Sequence, residues 1–154
     1  MSRQGALEDE RGFTLSEVLI TIILMGLLFG IASSVLFGVV DGRRVDSATN
    51  QLAADLRLAH TRATNRLVPQ VVNLNAGSSN YSITGSPSPR DLDDSVGDEV
   101  VVDTTATITF QPDGSALLPG NAPSATLTVS SADDEDLNHE IEINAATSRL
   151  HIDP

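Results

Sequence analysis

The stretch RGFTLSEVLITIILMGLLFGIASSVLFGVV, residues 11–40, decides how the rest of the chain is read. Val18 to Val40 form 23 consecutive uncharged residues, which as a helix would measure roughly 35 Å. A bilayer's hydrocarbon layer is about 30 Å thick, so the segment can cross it with some tilt. A secretory signal has an apolar region of only about 7–15 residues, shorter than this one. Phe13, Thr14 and Leu15 precede Glu17 and extend the same helix. An acid in such a helix costs on the order of 2.5–3.5 kcal/mol at its centre and less near its end. Glu17 therefore either reaches the interface or has a partner.

Working outward, the helical pattern continues past the apolar run. Val45, Ala48, Leu52, Leu56, Ala59 and Ala63 recur every three or four residues, the spacing of one helical stripe. Alanine dominates this stripe, so whatever packs on it comes close. Arg43, Gln51, Asp55, Arg62 and Arg66 are expected mostly on the other faces, and Pro69 ends the pattern. Beyond it the period changes to two. Expected strands are 71–74, 81–84, 99–102, 107–110, 126–130, 140–143 and 149–152, with Asp113-Gly114 as a hairpin-type turn and 144–148 joining the last two strands. The expected fold class is α+β: a long N-terminal transmembrane helix packed on a C-terminal antiparallel, sandwich-like β domain.

Composition excludes several functions. The chain of 154 residues has no cysteine, which removes disulfides, thiolate metal sites, a thiol nucleophile and a lipid-modified cysteine. It has nine basic residues, all arginine, against 21 acids. Residues 41–66 hold five arginines and three aspartates, whereas residues 67–154 hold two arginines and fourteen acids. Nucleic-acid binding rests largely on neutralising phosphates with Lys and Arg, so the acidic C-terminal part argues against direct contact with nucleic acid. Membrane orientation does not follow from charge, because Arg3 and Arg11 on one flank balance Arg43 and Arg44 on the other.

No nucleophile elbow, phosphate loop or His-Glu-x-x-His motif is present. His139 and His151 are placed to face each other across the last hairpin, and His60 stands apart on the helix. These histidines read as surface residues; the chain reads as a non-enzyme without cofactor. Asp91, Asp93, Asp94, Asp98 and Glu99 supply the hard oxygens that calcium prefers. Ser95 and Val96 break EF-hand spacing, so a solvated acidic loop is the stronger reading of that segment.

Gly12 followed by Phe13-Thr14-Leu15-Ser16-Glu17 and about twenty apolar residues resembles the class III signal of type IV pilins and type II secretion pseudopilins. The segment from Asn50 to Arg66, with its leucine–arginine–alanine pattern, is similar to the GspH/FimT branch. A Thr-Phe strand with an Asp-Gly turn after it and an isoleucine-rich last hairpin agree with that branch. Where the branch has a Gly-Arg pair in this hairpin, the chain has Ser148-Arg149. The resemblance implies that a prepilin peptidase cuts between Gly12 and Phe13 and methylates the Phe13 amine, and that Glu17 pairs with that amine on a neighbouring subunit. The leader's Glu8, Asp9 and Glu10 depart from the short basic leader usual in the family.

The implied organisation is a leader at 1–12, a transmembrane assembly helix at 13–40, an extracytoplasmic amphipathic helix at 41–66 and a β-rich head at 67–154. The implied function is a minor pilin or pseudopilin, a structural subunit of a type II secretion pseudopilus or type IV pilus. Its implied partners are other pilin subunits, the prepilin peptidase, the inner membrane and an assembly platform within it. Two alternatives stay open: an uncleaved, membrane-anchored acidic binding module, and a minor pilin of a DNA-uptake pilus.

Overall fold

A computed structural model describes residues 13–92, 100–132, 134 and 136–153; for 34–41 it describes the backbone alone. Asp93, Asp94, Asp98, Glu99 and Gly12 lie outside the described residues. The chain divides into two compact units, Met1–Gly38 and Val39–Pro154. Helix α1 runs over Leu15–Arg66. It ends at Leu67, which takes a left-handed φ of 55°, two residues before Pro69 can no longer donate to a helical ladder.

Among the described residues nine strands follow: β1 (Gln70–Leu74), β2 (Asn80–Ile83), β3 (Arg90–Asp91), β4 (Val100–Val102), β5 (Ala106–Phe110), β6 (Ala116–Leu117), β7 (Ser124–Ser131), β8 (Asn138–Asn144) and β9 (Leu150–Asp153). They build two antiparallel sheets, ordered β3-β2-β1-β5-β6 and β4-β7-β8-β9. The seven expected strands are all present within a few residues of their expected ends. Two-residue β3 and β6 were not expected, because two residues are too few to establish an alternating pattern.

The core of the second unit sits between the helix stripe and the inner faces of both sheets. Val45, Ala48, Leu52, Leu56, Ala59 and Ala63 are each at most 2% exposed and cluster with Val72, Leu74, Ile108 and Phe110 of one sheet and Leu127, Val129, Ile141 and Ile143 of the other. The alternation explains the sidedness. In β8, Ile141 and Ile143 are buried while Glu140 and Glu142 are exposed, as a period of two requires of a half-buried strand. Small alanines on the helix let the sheets approach, and the large side chains come mainly from the strands.

Two sequence expectations are corrected. Asp55 does not lie on an outer helix face but is 7% exposed. Its Oδ2 accepts the Tyr81 hydroxyl at 2.5 Å and stands 3.4 Å from Arg90 Nε. Isolated helical periodicity cannot reveal this, because the partner tyrosine and arginine come from an edge hairpin far along the chain. His139 and His151 do not face each other: register places His139 opposite Val129 and His151 opposite Glu142. The pleat then puts them on opposite faces of the sheet, with His139 on the side of Ile141 and Ile143.

Candidate functional site

The start of α1 is organised around one hydroxyl and one carboxylate. Thr14 precedes the first helical residue, and its Oγ1 accepts the Glu17 backbone N–H at 3.3 Å. Its carbonyl receives the N–H groups of Glu17 and Val18 at 3.1 and 3.2 Å. A helix start leaves its first four N–H groups without intrahelical acceptors, and Thr14 satisfies one of them as an N-cap. Thr14 and Glu17 also hold the i, i+3 spacing of a capping box, a signal that motif reading of the segment overlooked. The helix dipole favours the Glu17 carboxylate here, within the first turn.

From Leu15 to Ile31 the large apolar side chains are 46–84% exposed. The segment Leu15–Ser33 is long and apolar enough to cross a membrane, by length and composition. Its hydroxyls return to the helix: Thr21 donates to the Val18 carbonyl at 2.8 Å and Ser33 to the Phe29 carbonyl at 2.7 Å. Each hydroxyl is thereby bonded within the helix's own backbone. Phe13, Leu15, Val18, Leu19, Ile22 and Ile23 line an open apolar groove along this end. Glu17 is exposed, and among the described residues no cation pairs with its carboxylate. Gly26 and Gly30 have open space where a Cβ would stand, so no packing within the described chain demands glycine there.

The second unit holds two polar links that periodicity missed. Asp55, Tyr81 and Arg90 form one, and Gln51 Nε2 extends it by donating to the Asp91 carbonyl at 2.7 Å. Burial first, then the hydrogen bond and negative charge of Asp55, push the Tyr81 hydroxyl well above the usual tyrosine range, against a smaller opposing effect of Gln51 and Arg90. This network fastens the β2–β3 edge hairpin to the helix. The second link is His139 Nε2, 2.7 Å from Asp46 Oδ1. His60 rests edge-on against Phe110, with ring centres 5.9 Å apart. The three histidines are therefore dispersed, two facing the helix–sheet interior and His151 exposed.

The turns settle another point of sequence. Ser148 adopts φ 49°, the left-handed region in which glycine is unstrained. This is where the resemblance predicts glycine. The hydroxyl of Ser148 donates to the Gly114 carbonyl at 2.8 Å, tying the β8–β9 turn to the β5–β6 turn. In that second turn Gly114 has φ 89°, and Asp113 Oδ1 accepts both the N–H and the hydroxyl of Ser115, at 2.9 and 2.6 Å. Those bonds to Ser115 hold the Asp113 carboxyl below its ordinary value.

Of the calcium candidates only Asp91 is described, and its carbonyl is taken by Gln51. Among the described residues no three His, Asp or Glu side chains converge.

Comparison with known proteins agrees with this geometry. Residues 9–33 match the prokaryotic N-terminal methylation motif. The type IV minor pilin FimU of Pseudomonas aeruginosa strain PAO1 has a similar fold in two crystal forms. One has a TM-score of 0.54 at 18% identity, covering 73% of this chain and 90% of FimU. The other has a TM-score of 0.50 at 19% identity, covering 71% and 92%. No curated protein gives a significant match. The family model of the type II transport protein GspH matches residues 48–147, well over half the chain; with the methylation motif before it and the pilin fold around it, the chain belongs to the GspH family and is a minor pilin or pseudopilin.

Proposed function

We propose that the chain is cut between Gly12 and Phe13, methylated on the Phe13 amine, and drawn into a filament in which Glu17 pairs with the Phe13 amine of a neighbouring subunit. The observation that carries this reading is the exposed Glu17, with no cationic partner among the described residues, in the first turn of a helix whose apolar side chains are themselves exposed. A carboxylate in that setting is stabilised by a positive partner, and breaking such a buried pair costs about 3–5 kcal/mol. The methylation motif over residues 9–33 supports Phe13 as the new N-terminus. Open space at Gly26 and Gly30 supports close approach of neighbouring helices. Residues 13–40 then serve as the membrane and assembly segment, 41–66 as the extracytoplasmic helix and 67–154 as the head. A prepilin peptidase and an inner-membrane assembly platform are the implied partners, and the role is structural. Both a type II secretion pseudopilus and a type IV pilus accommodate this role.

The test is intact mass and N-terminal sequence of the membrane-extracted protein, with and without co-expressed prepilin peptidase. The expected product begins at Phe13 and carries one added methyl group. A chain that keeps residues 1–12 beside an active peptidase would overturn the filament reading and leave an anchored binding module. On processed chains, Glu17→Leu is expected to abolish incorporation into filaments while leaving cleavage intact.

A further inference from the structure

The turn between β8 and β9 is held by its own hydrogen bonds. Asn144 Oδ1 accepts the N–H groups of Ala146 and Thr147 at 3.1 and 3.2 Å, and the Thr147 hydroxyl at 3.2 Å. The amide oxygen is thereby occupied, and the two Nδ2 hydrogens are left for another acceptor. Ser148 ties the same turn to Gly114. Arg149 follows at once, its carbonyl accepting the Asn144 N–H at 3.0 Å. Backbone bonds, not its charge, therefore fix where Arg149 stands.

One row further along the hairpin, Glu142 is directly opposite His151. Glu142, Asn144, Arg149, Leu150 and His151 line a cavity of about 390 Å³. Pockets for small molecules hold about 300–1,000 Å³, and a water takes about 30 Å³. This cavity contains a carboxylate and a guanidinium, yet among the described residues neither has an ion-pair partner. Their rows are one i to i+2 step apart, about 6.4–6.8 Å along the strands, which leaves room between the two charges.

Opposite charges in one cavity select against a ligand of single sign. A metal cation would meet Arg149, and a simple anion would meet Glu142. Leu150 is the one apolar side chain of the lining, so an uncharged apolar ligand gains little. A ligand carrying one charge of each sign satisfies both walls. Its direction follows from the hairpin. Glu140 and Asp153, both exposed, stand opposite each other on the far side of Glu142, which makes that end negative, while Arg149 and the Asn144 amide are at the turn end.

We propose that this cavity binds the zwitterionic α-amino acid group. Arg149 and Asn144 Nδ2 donate to its carboxylate, and Glu142 accepts from its ammonium. The group can arrive as a free amino acid or as the free end of a diamino-acid side chain in a peptide. The site lies within the head and does not depend on cleavage at Phe13. Glu142 and Arg149 are exposed, and exposed ion pairs are individually weak. Binding is therefore expected at about millimolar concentration, and it weakens with added salt.

The test is a titration of the full-length chain in detergent micelles, with backbone amides followed by NMR. L-alanine supplies both charges, N-acetyl-L-alanine only the anion and L-alaninamide only the cation. L-alanine is expected to shift the amides of residues 142–151 saturably. Each capped analogue is expected to bind about tenfold more weakly, equivalent to about 1.4 kcal/mol. Glu142→Gln and Arg149→Gln are each expected to lower the affinity for L-alanine by the same factor. Unmoved amides outside the hairpin show that these variants keep the fold, and the analogue series needs no variant at all. An N-acetylated peptide linked through one end of diaminopimelate, with the other end free, distinguishes the two sources. Tighter binding than L-alanine assigns the site to a peptide-borne group, and equal or weaker binding to the free amino acid. Absence of a saturable shift, a capped analogue that matches L-alanine, or a glutamine variant that binds like the parent would overturn the proposal.

Discussion

Two regions of α1 use apolar side chains in opposite ways. Between Leu15 and Ile31 the large apolar residues are 46–84% exposed, so nothing in the described chain covers them. Between Val45 and Ala63 the stripe residues are at most 2% exposed, covered by two sheets of the same chain. The first region is apolar all round, as expected of a helix that meets lipid or other helices; the second is apolar on one stripe, as expected of a helix that covers a domain. Local sequence makes both helical, but the distribution of polarity around the helix decides who the partner is. The lower region takes its partner from outside the chain, and the upper one carries its partner with it.

The sharpest way to break this comparison is one leucine deletion in each region. Leu52→Ala, at a site with no exposure, is expected to destabilise the head by about 2–5 kcal/mol in urea unfolding of the detergent-solubilised chain. Leu24→Ala, at a site 53% exposed, is expected to leave that transition where it was. Equal losses from both would show that the lower region is also buried by its own chain.

A smaller effect probes the polar link inside the upper region. Tyr81→Phe leaves the buried Asp55 without its hydroxyl donor and is expected to cost about 1–3 kcal/mol. The same tyrosine predicts a pH dependence. Its folded value is raised above the ordinary 10.0, so the folded state favours the neutral phenol. Its contribution is complete below pH 10 and is lost as pH rises above that value, where only the unfolded chain ionises readily. Urea midpoints measured from pH 8 upward are expected to fall beyond pH 10 in the parent chain and to fall less in Tyr81→Phe.

The next effect is expected at Ser148. Ser148→Gly relieves a left-handed residue worth about 1–2 kcal/mol and loses a hydrogen bond worth about 0.5–1.5 kcal/mol, so its stability should nearly match the parent. Ser148→Ala keeps the strain and loses the bond, and should be about 1 kcal/mol less stable. If glycine proves worse than alanine, the turn is not held as described.

The smallest effect concerns Asp113. Ser115→Ala should move its carboxyl titration, followed by NMR, upward toward the ordinary value, with little change in stability because the group is exposed.

Much of this architecture could be read from sequence because each decisive pattern repeats. The stripe from Val45 to Ala63 contains six residues in one register, and Ile141 and Ile143 alternate against Glu140 and Glu142, so chance alternation is averaged out. What stayed hidden depends on single long-range contacts. Asp55 looks like an ordinary helix-surface acid until Tyr81 and Arg90 are brought over it. His139 and His151 read as a facing pair only while the hairpin register is open; pairing of Ile141 with Ile152 separates them. At the candidate site, Phe13 and Glu17 were legible as a motif. The Thr14 cap is legible as well, in its capping-box spacing to Glu17, but the same two residues also belong to the signal motif, which masks it.

The sheets end in short strands: Arg90–Asp91 and Ala116–Leu117 border one, and Val100–Val102 and Leu150–Asp153 the other. An unpaired strand edge is a template on which another chain can add by backbone pairing, and brevity and charge are the usual defences. Two of these borders offer only two residues each, and one of those is an arginine–aspartate pair. A head built in this way can be held at high density beside identical heads without their sheets fusing, which leaves side chains rather than backbone to choose its neighbours.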